Sequence, residues 1–322
     1  MFSIFRKNDP YLYVIYAIAV IITRLLYFLF SENSMATGIA QEGNHGFYDL
    51  FVFYTENRGL SISLNGLIIL ANAVLFNQLI LANNALRESN YTPGFVFILL
   101  MSSFQEAFIF SGILIGLAFL LFSLFLILGH VKQRASEENI FFTGFFLGLA
   151  GIAFKPYAWF FICLLIIYFL YTRTIIRRYF LGLFGFLFPH LIIFTISKFT
   201  DLQSDYTLWM DGVNPVFELS LWLGYQPLVI LPAFFIAFYE LIVNYTGIKM
   251  TNHQIHFQRV MTTILVYSMA LYFLFGLSVG GVMLSVIPIT FFVSMAIGNA
   301  QKVWVREAVS LLIIIFLVRP YL

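Results

Sequence analysis

The sequence predicts an all-α integral membrane protein, and three observations carry that reading. Hydrophobic residues make up 61% of the 322-residue chain and its mean hydropathy is +0.93. Charged residues make up only 10%, against about 25% in a soluble domain, too few to coat a water-facing surface. The apolar residues also fall into runs separated by short polar intervals, which points to about eleven transmembrane or membrane-embedded helices. The net charge of +2, with no basic stripe interleaved with aromatics, argues against a nucleic-acid partner and leaves membrane lipid as the first partner. A single cysteine, Cys163, inside an apolar run excludes a disulfide framework and a thiolate metal site and reads as a buried structural thiol.

Taken in order, Tyr11–Phe30 is long enough to span and is followed by no small-residue cleavage site, so it reads as a retained first helix rather than a signal peptide. It carries Arg24, an intramembrane charge that either snorkels, pairs with a neighbouring helix or serves a substrate. The longest polar interval, 31–59, holds Glu32, Glu42, His45, Asp49 and Glu56 with clustered aromatics, and suits a short helix lying on the membrane. The second span, Leu60–Ala82, contains Asn65 and Asn72. Seven residues apart, they share one helix face, and such amides hydrogen-bond neighbouring helices.

The apolar run Gly94–Phe104 is too short to cross upright, and reads as a sunken arm with Glu106 at its turn; an acid at the start of the next helix, Ala107–Gly129, is also explained by capping. Phe141–Ala153 and Tyr157–Tyr171 then flank Phe154, Lys155 and Pro156. A lysine disfavours hydrocarbon and a proline breaks or starts a helix, so this reads as a hairpin with Lys155 at its turn and a basic end at Arg173, Arg177 and Arg178. Tyr179–Ser197 follows, with His190 as a packed histidine. Gln226–Val243, Val260–Ser278, Val282–Ile297 and Val303–Val318 complete the spans. His253 and His256 are spaced to reach one metal, but no further ligand lies nearby, and the interval Lys249–Arg259 reads as an interfacial loop.

With the N-terminus in the cytoplasm, this alternation keeps most basic residues inside, among them Arg6, Lys7, Lys132, Arg134 and the 173–178 cluster. Arg58, Lys155, Lys198 and Arg319 fall outside. The outer face then gathers Glu32, Glu42, Asp49, Glu56 and Glu106 beside His45 and Lys155. Carboxylates there suit a general base or a divalent-cation ligand, and Lys155 suits a phosphate contact. The same acids also arise simply because basic residues are kept inside. No P-loop, GxGxxG, HExxH or GxSxG motif is present.

The order of these parts resembles the membrane half of GT-C-type glycosyltransferases, which use lipid-linked sugar donors. The resemblance runs over about Tyr11–Ser197. It rests on the acid-bearing loop 31–59, on SSFQEAF with Glu106, and on GLAGIAFKPYAWFF ending near Arg173. It implies a GT-C-like core over 11–197, a C-terminal helical part over 198–322 and one polytopic domain over 1–322. It further implies handling of polyprenyl-phosphate-linked sugars at the outer leaflet, Asp49 and Glu106 as catalytic carboxylates, and Lys155, His45 and Arg24 as substrate contacts. A divalent cation is the cofactor such carboxylates would hold. The loop lacks the paired acids of many members, and no stretch here provides their large soluble domain. The LNGLIILANAVLFNQLIL span and the GFFLGLAGIAFKP hairpin are similar to those of an uncharacterised multi-pass family of gliding-type Bacteroidota, which implies a bacterial inner-membrane location. Two other classes fit the composition: a non-catalytic membrane subunit of an envelope assembly or secretion machine, with a membrane-protein partner, and a transporter, which no inverted repeat supports.

Overall fold

The structure is a computed structural model, and it describes residues 9, 11–30, 58–86, 90–108, 110–132, 136–172, 175–199, 234–240, 242, 251–275 and 279–299. All regular structure among these is helical: α1 (Leu12–Phe30), α2 (Arg58–Ala82), α3 (Thr92–Met101), α4 (Gly112–Lys132), α5 (Glu137–Ala153), α6 (Phe160–Tyr171), α7 (Ile176–Phe199), α8 (Asn252–Phe275) and α9 (Val279–Asn299). Two 3-10 turns, Gln105–Phe108 and Lys155–Trp159, punctuate them. Residues 234–240 are also helical.

Each helix reflects its local chemistry. In α1, Tyr16, Val20 and Tyr27 are buried while Ile18, Ile21 and Leu25 face outward, the three-and-four spacing of a helix with one packed face. The end of α2 is closed by Asn84 in the left-handed region (φ 47°), with Ala85 N donating to Ile80 O (3.1 Å) and Asn84 N to Leu81 O (3.0 Å), a Schellman stop. The start of α5 is capped by Ser136, which accepts from Asn139 N (3.4 Å), and Glu137 and Glu138 occupy its first turn.

The short third run is a helix of ten residues, all of them buried, with Pro93 in its first turn. At about 1.5 Å per residue it reaches only about half of a ~30 Å hydrocarbon core. It is tolerated there because α1, α2 and α9 surround it. Phe97 stacks on Phe76 of α2 (5.5 Å between centroids).

Helices α1 to α7 alternate in direction. The start of α1 meets the end of α2, where Gln78 donates to Tyr13 (2.7 Å), and the start of α3, where Tyr91 packs on Tyr13. The Lys155 hairpin forms as expected. Phe154 is extended, the 3-10 turn begins at Lys155, and Tyr168 near the far end of α6 returns beside Thr143 of α5. Helix α5 also runs parallel to α7 along a glycine seam. A Cβ on Gly144 would collide with Gly182 O, one on Gly148 with Phe186 O, and one on Gly185 with Phe141 O. Helix α8 leans on α6 through Tyr171 and Thr263 (2.8 Å) and through Tyr267, which donates to Trp159 O (2.5 Å). One buried apolar cluster extends from Leu12 to Ile297.

Among the described residues, four helices are long and apolar enough to cross a membrane: Leu12–Leu29, Gly59–Ala82, Gly112–Gly129 and Ile176–Phe199. The expected count of about eleven is therefore not reached among the described residues. For three of the expected spans the reason is length: α3, α5 and α6 have 10, 17 and 12 residues. The expected span 303–318 and most of 226–243 lie outside the described residues, as does all of the 31–59 interval expected to hold an interfacial helix except Arg58 and Gly59, which begin α2.

One local expectation is corrected. Asn252–Arg259 is not a loop but the first turns of α8. Thr251 N donates to Gln254 Oε1 (3.1 Å) and Gln254 N to Thr251 Oγ1 (3.4 Å), a reciprocal capping box that starts the helix earlier than its apolar residues do.

Candidate functional site

The candidate site lies at the end of the bundle where α1 finishes, α2 begins and α3 turns into α4. Arg24 is buried there at 6% exposure. Its Nη2 donates to Asn65 Oδ1 of α2 (3.1 Å) and to the carbonyl of Ala107 (2.9 Å), and its guanidinium carbon lies 4.1 Å from the centre of the Phe108 ring. Arg24 is thus packed between helices, as the pairing alternative expects. It joins α1 to α2 and to the 3-10 turn that carries Glu106.

The same turn is held from two further directions. Tyr27 of α1 stacks on Phe108 at 4.2 Å, and Phe110 N donates to Ser61 Oγ of α2 (2.9 Å). One turn into α4, Asn72 Nδ2 donates to Leu114 O (3.0 Å). Ser61, Asn65 and Asn72 thus form one polar stripe on α2 directed at residues 107–114, and the face-sharing read from their spacing is realised as hydrogen bonds to neighbouring helices. Another cluster lies toward the opposite end: Asn77 Oδ1 accepts from Gly94 N (3.4 Å) and from Tyr16, whose hydroxyl also bonds Tyr91 O.

The expected site residues divide accordingly. Arg24 and the backbone of Glu106 are brought together, separated in the chain by about eighty residues but joined through Ala107; the Glu106 side chain lies outside the described part. Lys155 is half-buried at the start of its turn, at the same end of the bundle. Two residues on, the buried Tyr157 ring packs beside Gly116 in the early part of α4. Asp49 and His45 lie outside the described residues. His253 and His256 are exposed at the start of α8, and among the described residues no group of three His, Cys, Asp or Glu side chains could hold a metal. Cys163 is fully buried in α6. His190 packs on Phe186 (5.2 Å) beside Pro189.

Sequence reasoning missed Ser61 as a partner of the 107–114 connection, although it lies four residues before Asn65, on the same helix face. It also passed over Glu240, buried at 4% exposure in the 234–240 segment. The signal was present: a lone acid inside an apolar run.

Fold and site together define an all-helical protein of the membrane type, with four helices among the described residues long and apolar enough to cross a membrane and a buried polar cluster at one end. The chain belongs to a family of unknown function, DUF6427, whose model matches residues 29–321. No curated protein and no solved structure matches it.

Proposed function

We propose that the protein handles a polyprenyl-phosphate-linked sugar at the end of the bundle formed by Arg24, the Gln105–Phe108 turn and Lys155. It would do so as a GT-C-like transferase at the outer leaflet of a bacterial inner membrane. The supporting observation is the burial of Arg24 beside the turn of Glu106. A guanidinium kept inside a membrane domain is costly and marks functional sites, and its field favours an anionic headgroup nearby. Asp49 would act as general base or as ligand of a divalent cation, Glu106 as a second carboxylate, and Lys155 with His45 would meet the phosphate.

The test is transfer from a polyprenyl-phosphate sugar by the protein reconstituted in lipid. Asp49→Asn and Glu106→Gln should each lower turnover by about 10²–10⁴-fold while membrane levels stay normal. Lys155→Gln should raise KM for the lipid donor. Orientation is checked separately, by labelling introduced cysteines in intact cells on a Cys163→Ser background. Reagent from outside should reach Ser34→Cys and Gly46→Cys but not Asn252→Cys.

A second reading is a non-catalytic membrane subunit of an envelope assembly machine. It is favoured by the interhelical bonds already made by Arg24, Asn65, Asn72 and Asn77, a scaffolding use of all four side chains. Full complementation of a deletion strain by both Asp49→Asn and Glu106→Gln would select it.

A further inference from the structure

We infer that Arg24, Asn65 and Ser61 are positioning residues for the turn that carries Glu106, acting through Ala107, Phe108 and Phe110 rather than by touching substrate. The inference rests on the transferase reading for what the turn does, but its geometry stands independently. Two helices, α1 and α2, converge on a connection only ten residues long, between Met101 at the end of α3 and Gly112 at the start of α4. Among its described residues, the backbone bonds of this connection reach back only three or four residues: Ser102 N to Ile98 O (2.9 Å), Ser103 N to Leu100 O, Phe104 N to Met101 O and Ala107 N to Phe104 O (3.2 Å each). Its placement relative to α1 and α2 is set from outside. Arg24 holds the Ala107 carbonyl and lies over the Phe108 ring, Tyr27 stacks on that same ring, and Ser61 accepts the Phe110 N–H.

Asn65 completes the device. Its Oδ1 accepts from the same Nη2 that holds Ala107, so it fixes the plane of the guanidinium and with it the direction of the Ala107 bond. A planar fork is suited to this, since two acceptors on one nitrogen define an orientation that an ammonium does not. The carboxylate-bearing residue is the immediate neighbour of Ala107. A displacement of about 1 Å at such a position costs on the order of 10²-fold in rate.

The experiment compares the full chain in nanodiscs with Ser61→Ala, Asn65→Ala, Arg24→Gln and Arg24→Lys, using Asn72→Ala as control. Asn72 is as buried as Asn65 and sits on the same helix, but it bonds Leu114 beyond the turn. Hydrogen exchange of residues 104–111 should rise about tenfold or more in the Ser61, Asn65 and Arg24→Gln variants and stay at the wild-type level in Asn72→Ala. In the transfer assay, Ser61→Ala and Asn65→Ala should lower kcat by about 10²-fold with KM for the lipid donor unchanged, and Arg24→Lys should restore part of what Arg24→Gln loses. Unchanged exchange at 104–111, or an equal rise in Asn72→Ala, overturns the inference; so does a change confined to KM, which would make Arg24 and Asn65 substrate contacts. Absence of turnover in the wild type sinks the transferase reading, and the exchange comparison still decides this one. Should Arg24→Gln fail to fold, Ser61→Ala and Asn65→Ala carry the test.

Discussion

The α1–α4 group and the α5–α7 pair solve the same problem in opposite ways. Inside a bilayer the surrounding lipid is as apolar as a leucine side chain, so burying leucine against leucine contributes little to helix association. The first group answers with side-chain hydrogen bonds: Arg24 to Asn65 and Ala107, Asn72 to Leu114, and Asn77 to Gly94. The α5–α7 pair answers with shape. Glycines at 144, 148 and 185 let each backbone lie on the other, so that dispersion contacts form along the crossing. Polar bonds are directional and fix one arrangement, which suits the group that holds a turn in place. Backbone contact is closer but tolerates no added atom, which suits a rigid wall. The difference teaches that composition alone does not tell how two spans in one chain are held.

The comparison breaks most visibly at the seam. Gly148→Leu places a side chain where Phe186 O and the Pro189 ring already stand. It should cost about 3 kcal/mol, the upper end for overpacking, and size-exclusion chromatography in detergent should show loss of the monodisperse peak. A wild-type profile would mean that α5 and α7 do not meet through their backbones.

On the polar side the expected effects are smaller and graded by charge. Asn65→Ala removes an acceptor from a buried guanidinium and should lower stability by about 2–3 kcal/mol. Asn72→Ala removes a neutral amide bond to a carbonyl and should cost about 0.6–1.7 kcal/mol. Thermal unfolding in one detergent, followed by tryptophan fluorescence, ranks the two. Equal losses would show that the charge on Arg24 is not what Asn65 serves.

Gly182→Ala sharpens the seam argument by its mildness. Gly182 lies on the crossing, yet the nearest atom to its Cβ would be Ile140 Cγ2 at 3.7 Å, an ordinary contact. The change should be neutral or stabilise by up to about 1 kcal/mol through helix propensity, with an unchanged or raised melting temperature. The smallest effect belongs to Arg177→Gln. Its 3.3 Å ion pair with Glu137 is solvent-exposed on both sides, so the melting temperature should move by less than the equivalent of about 1 kcal/mol, and less still in high salt.

Much of this protein follows from local chemistry that a sequence displays. A lysine and a proline between two apolar runs specify the hairpin at Lys155 because neither continues a buried helix. Asn65 and Asn72, seven residues apart, lie on one face because the helix period requires it. The capping box at Thr251 and Gln254 is equally local, but it precedes the first apolar residues of α8 and so lies outside the hydropathy pattern. What only the tertiary structure decided are the relations between distant segments. Arg24 meets Ala107, Ser61 meets Phe110 and Gly144 meets Gly182. No periodicity encodes such pairs, because a helix face states what it can bury and not which of several apolar partners it will bury it against.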